Sequence, residues 1–121
     1  MSKQKELENV VGQLRSAVPD ITGVIVASSD GLSLAGDLPE GELARAAAMT
    51  ATAASLGRRI TDTLELGSAE EFAVKGQQGY LLVYRAGDKA VIGVAARAGA
   101  NIGLINLEVR SATEKIAAVL G

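Results

Sequence analysis

Leu7, Val10, Val11, Leu14 and Val18 recur at the 3–4 spacing of a helix face, with Lys3, Lys5, Glu6, Glu8 and Arg15 between them. That pattern predicts an amphipathic helix over residues 2–18. Pro19 ends it, because the residue before proline is pushed out of the helical region. The pattern then becomes that of a strand. Residues 21–28, Ile-Thr-Gly-Val-Ile-Val-Ala-Ser, are rich in β-branched side chains and apolar on both faces across Val24–Ala27, which predicts a central strand. Asp30-Gly31 marks a hairpin turn. A short strand returns over Leu32–Ala35, and residues 36–41 form a loop. Asp37 and Pro39 in that loop suit a helix start, one as a capping carboxylate and one through its pre-set φ.

Residues 42–64 read as one helix of about six turns, with alanine, the best helix former, in its middle. No charge falls between Ala46 and Gly57. Ala46, Met49, Ala53, Leu56, Ile60 and Leu64 form a bulky stripe, and Ala44, Ala47, Ala48, Ala51 and Ser55 form a small one nearly opposite. A helix uncharged all round is buried all round. The expectation is that the bulky stripe covers the chain's own sheet and the small stripe meets the same helix of a second copy across a two-fold axis. The alternatives are an internal helix of a monomer or a thinly solvated alanine face.

Gly67 breaks the helical pattern, and three more strands are predicted over residues 70–75, 80–85 and 89–96. Gly76-Gln77-Gln78-Gly79 and Gly87-Asp88 turn the chain between them. In the first, Phe72 and Val74 alternate with Glu71, Ala73 and Lys75, the pattern of a sheet edge with a charged outer face. Such short turns make antiparallel neighbours. A last helix spans 101–120, with Asn101 as N-cap and Ile102, Ile105, Val109, Ala112, Ile116 and Val119 as its apolar stripe. The order helix-β-β-helix-β-β-β-helix predicts an α/β sandwich with one five-stranded antiparallel sheet, in a single domain over residues 1–121.

Composition narrows the chemistry. The chain is 48% hydrophobic but only 2% aromatic (Phe72, Tyr80 and Tyr84), so its core is built from Ala, Val, Leu and Ile. Without Cys or His, disulfides, thiol nucleophiles, His-based triads and Cys/His zinc sites are excluded. A net charge of −2 with no basic cluster argues against nucleic acid as a partner. The N-terminal residues lack the apolar core of a signal peptide, and no apolar run approaches the roughly 20 residues of a membrane span. A soluble cytoplasmic protein without cofactor or metal is the expectation.

The element order, the hairpin Val-Ile-Val-Ala-Ser-Ser-Asp-Gly-Leu at 24–32, the alanine-rich central helix and Ala100-Asn101-Ile102-Gly103-Leu104 resemble the Roadblock family, which includes dynein light chains and bacterial MglB-type proteins. The resemblance runs from about Val10 to Leu120 and implies a profilin-like three-layer fold. It also implies a dimer in which central helices pack side by side and the following strands pair across the two-fold axis. Carried onto this chain, that interface takes Ala44, Ala47, Ala48, Ala51 and Ser55, with Glu71, Ala73 and Lys75. The function it implies is regulation of a Ras-like (MglA-type) small GTPase, in some members as a GTPase-activating protein and in others as a scaffold or adaptor.

No phosphate-binding loop of the Gly-x-x-x-x-Gly-Lys-Ser/Thr type is present. Asp30 reads as a turn residue, with no second acid forced near it. The glycines of residues 96–103 read as a tight turn and close helix packing. Arg58 and Arg59 are candidate GTPase contacts, since an arginine given in trans stabilises phosphoryl-transfer charge. The favoured reading of the pair is their position in the last turns of the helix, where cations suit the macrodipole. A small-ligand sensor is disfavoured by the few polar residues at core positions, and an enzyme by the lack of His, Cys or an acid pair.

Overall fold

The elements form where the periodicities place them, within one or two residues. The structure, a computed structural model, describes residues 2–121 and contains helix α1 (Lys3–Ala17), strands β1 (Ile21–Ser28) and β2 (Ser33–Gly36), helix α2 (Glu40–Thr63), strands β3 (Glu71–Lys75), β4 (Gly79–Ala86) and β5 (Ala90–Arg97), and helix α3 (Ile102–Leu120). Ser2 caps α1 by accepting the Lys5 N–H at 3.1 Å, and Asn101 caps α3 by accepting the Leu104 N–H at 3.0 Å. Asp37 does not cap α2, contrary to the sequence expectation. Pro39 holds the N-cap position without a side-chain bond. The Asp37 carboxylate instead accepts the Val24 N–H at 2.8 Å and the Arg15 guanidinium, tying α1 to the β1–β2 hairpin.

The five strands form one antiparallel sheet in the order β2-β1-β5-β4-β3. β1 and β5 lie in the middle and are buried on both faces, as the unbroken apolar run of β1 requires. Val24 sits opposite Val94 and Val26 opposite Ile92, all four in the larger core against α1 and α3. Ile25, Ala27 and Val91 point the other way and meet Ala47 and Ala51 of α2.

α2 rests on the sheet through its small residues. Ala47, Thr50, Ala51 and Gly57 are its buried positions. Three glycines keep the seam thin. A Cβ on Gly93 of β5 would lie 2.8 Å from the Thr50 hydroxyl, and one on Gly36 of β2 would lie 2.4 Å from Leu43. On α2 itself, a Cβ on Gly57 would reach Phe72 of β3 at 3.0 Å. The bulky stripe expected to cover the sheet faces outward instead. Met49 is 63% exposed, Leu56 48%, Ile60 40% and Leu64 62%. The reason is steric: over Gly93 the helix lies close enough to leave room only for small side chains such as Thr50, and Leu43 reaches inward only beside Gly36.

Two substitutions test this seam by urea denaturation. Gly93→Val forces the Thr50 side chain off the sheet and is expected to cost about 1–3 kcal/mol, the usual range for overpacking. Thr50 is 1% exposed and its hydroxyl has no hydrogen-bond partner among the described residues. Thr50→Val removes that orphan and is expected to stabilise by about 1 kcal/mol.

Candidate functional site

The outward ridge of α2 and the edge strand β3 form one surface. β3 ends the strand order, so one of its sides has no neighbouring strand. Gly57 contacts Phe72, which brings the C-terminal half of α2 over β3. Ile60 and Leu64, three and seven residues further along, share that side of the helix. Val74, on the same face of β3 as Phe72, is 51% exposed. Met49, Leu56, Ile60, Leu64 and Val74 thus make an apolar surface that begins on the helix and continues to the strand.

The residues named from sequence divide. Glu71, Ala73 and Lys75 are exposed on β3. By register they stand opposite Tyr84, Leu82 and Tyr80 of β4, on the face that carries α1 and α3. The Lys75 ammonium lies over the Tyr80 ring, 5.7 Å from its centroid. Ala47 and Ala51 are buried against the chain's own sheet. Ala44, Ala48 and Ser55 are exposed, but on the flank of α2 away from β3. Gly31 of the β1–β2 turn approaches Ala48 and Ala51 there. The centre of the small stripe is the contact with the chain's own sheet, and one edge of it accommodates a turn.

Arg58 and Arg59 are both exposed. Arg58 alone of the two lines a hollow with Ser29, Ser55, Arg85 and Asp88. The hollow lies where the β1–β2 and β4–β5 turns meet, held by the Ser29 hydroxyl donating to the Asp88 carbonyl at 2.9 Å. Arg85 has Asp88 at 3.6 Å, whereas no carboxylate among the described residues pairs with Arg58. Among the described residues no cluster of His, Cys, Asp or Glu is placed to hold a metal, and no helix is long and apolar enough to cross a membrane.

Sequence reasoning missed the bulky ridge as a surface because it counted bulk as interior. One signal was available. The sheet face toward α2 is built from Ile25, Ala27, Val91 and Gly93, and two of those four positions are small. Such a shallow, smooth face matches a smooth helix surface better than a bulky one.

A family model, Roadblock/LC7 domain, matches residues 7–96. An uncharacterized protein of Methanocaldococcus jannaschii is 33% identical over 102 residues, covering 82% of this chain and 87% of the relative. A crystal structure of a Roadblock/LC7 domain from Streptomyces avermitilis is similar with a TM-score of 0.89 at 23% identity, covering 93% of this chain and 96% of that one. The gliding protein MglB of Thermus thermophilus has a TM-score of 0.84 at 18% identity over 98% of this chain and 91% of its own. Profilin IA of Acanthamoeba castellanii follows at 0.61 and 9% identity, over 92% and 96%. These solved structures bear out the profilin-like three-layer fold.

Beside the surface, the Tyr84 hydroxyl donates to Asn106 Oδ1 of α3. Burial, with a further contribution from the Glu71 charge, pushes this phenol well above its ordinary value of 10.0. The folded state thus favours the neutral phenol. Its stabilising contribution is complete below pH 10 and is lost as pH rises beyond that value. Denaturation across that range is expected to show stability falling more steeply in the wild type than in Tyr84→Phe; parallel slopes would rule the linkage out.

Proposed function

This chain belongs to the Roadblock/LC7 domain family, and on that premise we propose that it is a two-fold symmetric regulator of a Ras-like small GTPase, working in the cytoplasm. The observation that carries the proposal is the continuous apolar surface of α2 and β3, which no element among the described residues covers. Exposed apolar patches of this kind mark interaction sites. A second copy placed on a two-fold axis covers both parts together: α2 lies against α2 and the open edge of β3 pairs with its equivalent. The interface residues are then Met49, Leu56, Ile60 and Leu64 on the helix, with Glu71, Ala73, Val74 and Lys75 on the strand. Of the small stripe, Ala44, Ala48 and Ser55 are exposed on the other flank of α2.

The GTPase as client follows from the family resemblance, an associational warrant. Relatives named MglB share the fold, at sequence identities that speak for the fold alone. With no phosphate-binding loop in this chain, the reacting groups would be the partner's, and the dimer's part is to hold its switch segments in place. Arg58 and Arg59 are kept as candidate contacts. Arg58 is the better placed of the two, because its guanidinium lies in a hollow without a carboxylate partner of its own.

Two measurements check this reading. Ile60→Glu or Leu56→Glu places a charge on the apolar ridge. Each is expected to halve the mass seen in light scattering while helical circular dichroism is retained. Ala51→Glu instead drives a carboxylate into the chain's own core and is expected to lose the fold. For the client, the protein is immobilised and challenged with lysate of its own source, loaded with a GTP analogue or with GDP. A small GTPase retained in one nucleotide state only is the expected result, to be followed by hydrolysis rates with and without the dimer. A partner retained regardless of nucleotide overturns the regulator in favour of a scaffold.

A further inference from the structure

The edge of β3 specifies how a second copy can pair with it. The Gly76 N–H donates to the Gly79 carbonyl at 2.8 Å across the Gln77-Gln78 turn. Gly76 and Gly79 are therefore a hydrogen-bonded pair, and antiparallel pairs alternate along the hairpin. Following the register back from Lys75–Tyr80 to Glu71–Tyr84, the odd-numbered residues of β3 fall at the non-bonded pairs. The backbone N–H and C=O groups of Glu71, Ala73 and Lys75 accordingly point away from β4, onto the open side.

A two-fold axis normal to the sheet brings each β3 residue opposite one on the same face, so only even sums of residue numbers are allowed. Centred on Glu71 or Lys75, the seam sets like charges face to face. Centred on Phe72, it puts Val74 against Glu70; centred on Val74, it sets Lys75 against Ala73 and Glu71 against Gln77, so neither charge meets its opposite. Centred on Ala73, it sets Glu71 against Lys75 twice on one face and Phe72 against Val74 twice on the other. This register alone satisfies charge, apolar burial and all three outward-pointing backbone units together. Its apolar pairs lie on the α2 side, continuous with the ridge of Leu56, Ile60 and Leu64. Its charged pairs lie on the α3 side, where Lys75 already rests over Tyr80.

We propose that two copies of this chain join β3 to β3 in the register centred on Ala73, and that the two Glu71–Lys75 crossings select an identical chain over one without that complementary pair. The inference rests on the dimer reading above and adds its register and the source of its selectivity.

Charge reversal tests it in solution, since Glu71 and Lys75 are exposed and their exchange leaves the core intact. Glu71→Lys alone creates two Lys–Lys crossings and Lys75→Glu alone two Glu–Glu crossings. Each is expected to weaken the dimer about tenfold or more, because directly opposed like charges on a sheet repel. Mixing the two single variants is expected to restore wild-type affinity in the heterodimer, as is the double variant on its own. The chain has no native cysteine, so introduced thiols give a clean second readout. Ala73→Cys is expected to cross-link to itself with a short bis-thiol reagent, and Glu71→Cys to cross-link with Lys75→Cys in preference to itself. A wild-type protein that stays monomeric overturns the dimer reading. A dimer that ignores both reversals, or whose cross-links follow another register, overturns this inference while leaving that reading in place.

Discussion

The close seat of α2 on the sheet is the constraint on which the rest of this molecule depends. Gly93 provides the space, and Ala47, Thr50 and Ala51 fill it with small side chains. Over Gly93 nothing larger fits, so Met49, Leu56, Ile60 and Leu64 turn outward, whereas Leu43 packs inward beside Gly36. The seam even tolerates an unpartnered Thr50 hydroxyl, a group whose burial ordinarily costs free energy. Most of the bulk of α2 is thereby left exposed, and the chain has two cores of unequal size. The larger, under α1 and α3, carries most of the big aliphatic side chains.

The two halves of the interaction surface have different origins. The ridge exists because α2 packs through its small side. The open edge exists because β3 ends the strand order. What joins them is the contact between Gly57 and Phe72, which brings the C-terminal half of α2 alongside the edge strand. Charged side chains on an edge strand ordinarily discourage pairing with other chains. Here Glu71 and Lys75 stand two residues either side of Ala73, so in the proposed register they would repel most neighbours but complement their own copy. In the proposed pairing, exclusion of foreign edges and acceptance of an identical one would follow from the same two charges.

The proposed platform brings no chemistry of its own to a nucleotide. Its contribution would be shape and position, which accords with an interior assembled from Ala, Val, Leu and Ile and with few polar groups committed to the core. The hollow beside Arg58 lies at the end of the sheet where two turns are tied together by Ser29 and Asp88, and so is displaced from the β3 edge.

Local sequence determined the elements. Period-3.6 and period-2 patterns, Pro19, the Asp30-Gly31 and Gly87-Asp88 turns and the Asn101 cap each act over a few residues, and each is legible without a partner in space. The element order was enough to imply the sandwich, and the alternation in β3 was enough to mark an edge and its exposed charges. Tertiary structure alone decided which face of α2 is inside. Both faces are uncharged, and hydrophobicity within the helix ranks the bulky one as the interior, the reverse of what the sheet accepts. The answer lies in Gly36 and Gly93, residues distant in sequence whose missing side chains set the depth of the seam. Asp37 shows the same limit in miniature: its position suits a helix cap, but Arg15 and the Val24 N–H, brought close only by folding, bind it first. Local periodicity fixes what a segment becomes, whereas which of its faces is buried depends on the shape of the surface it meets.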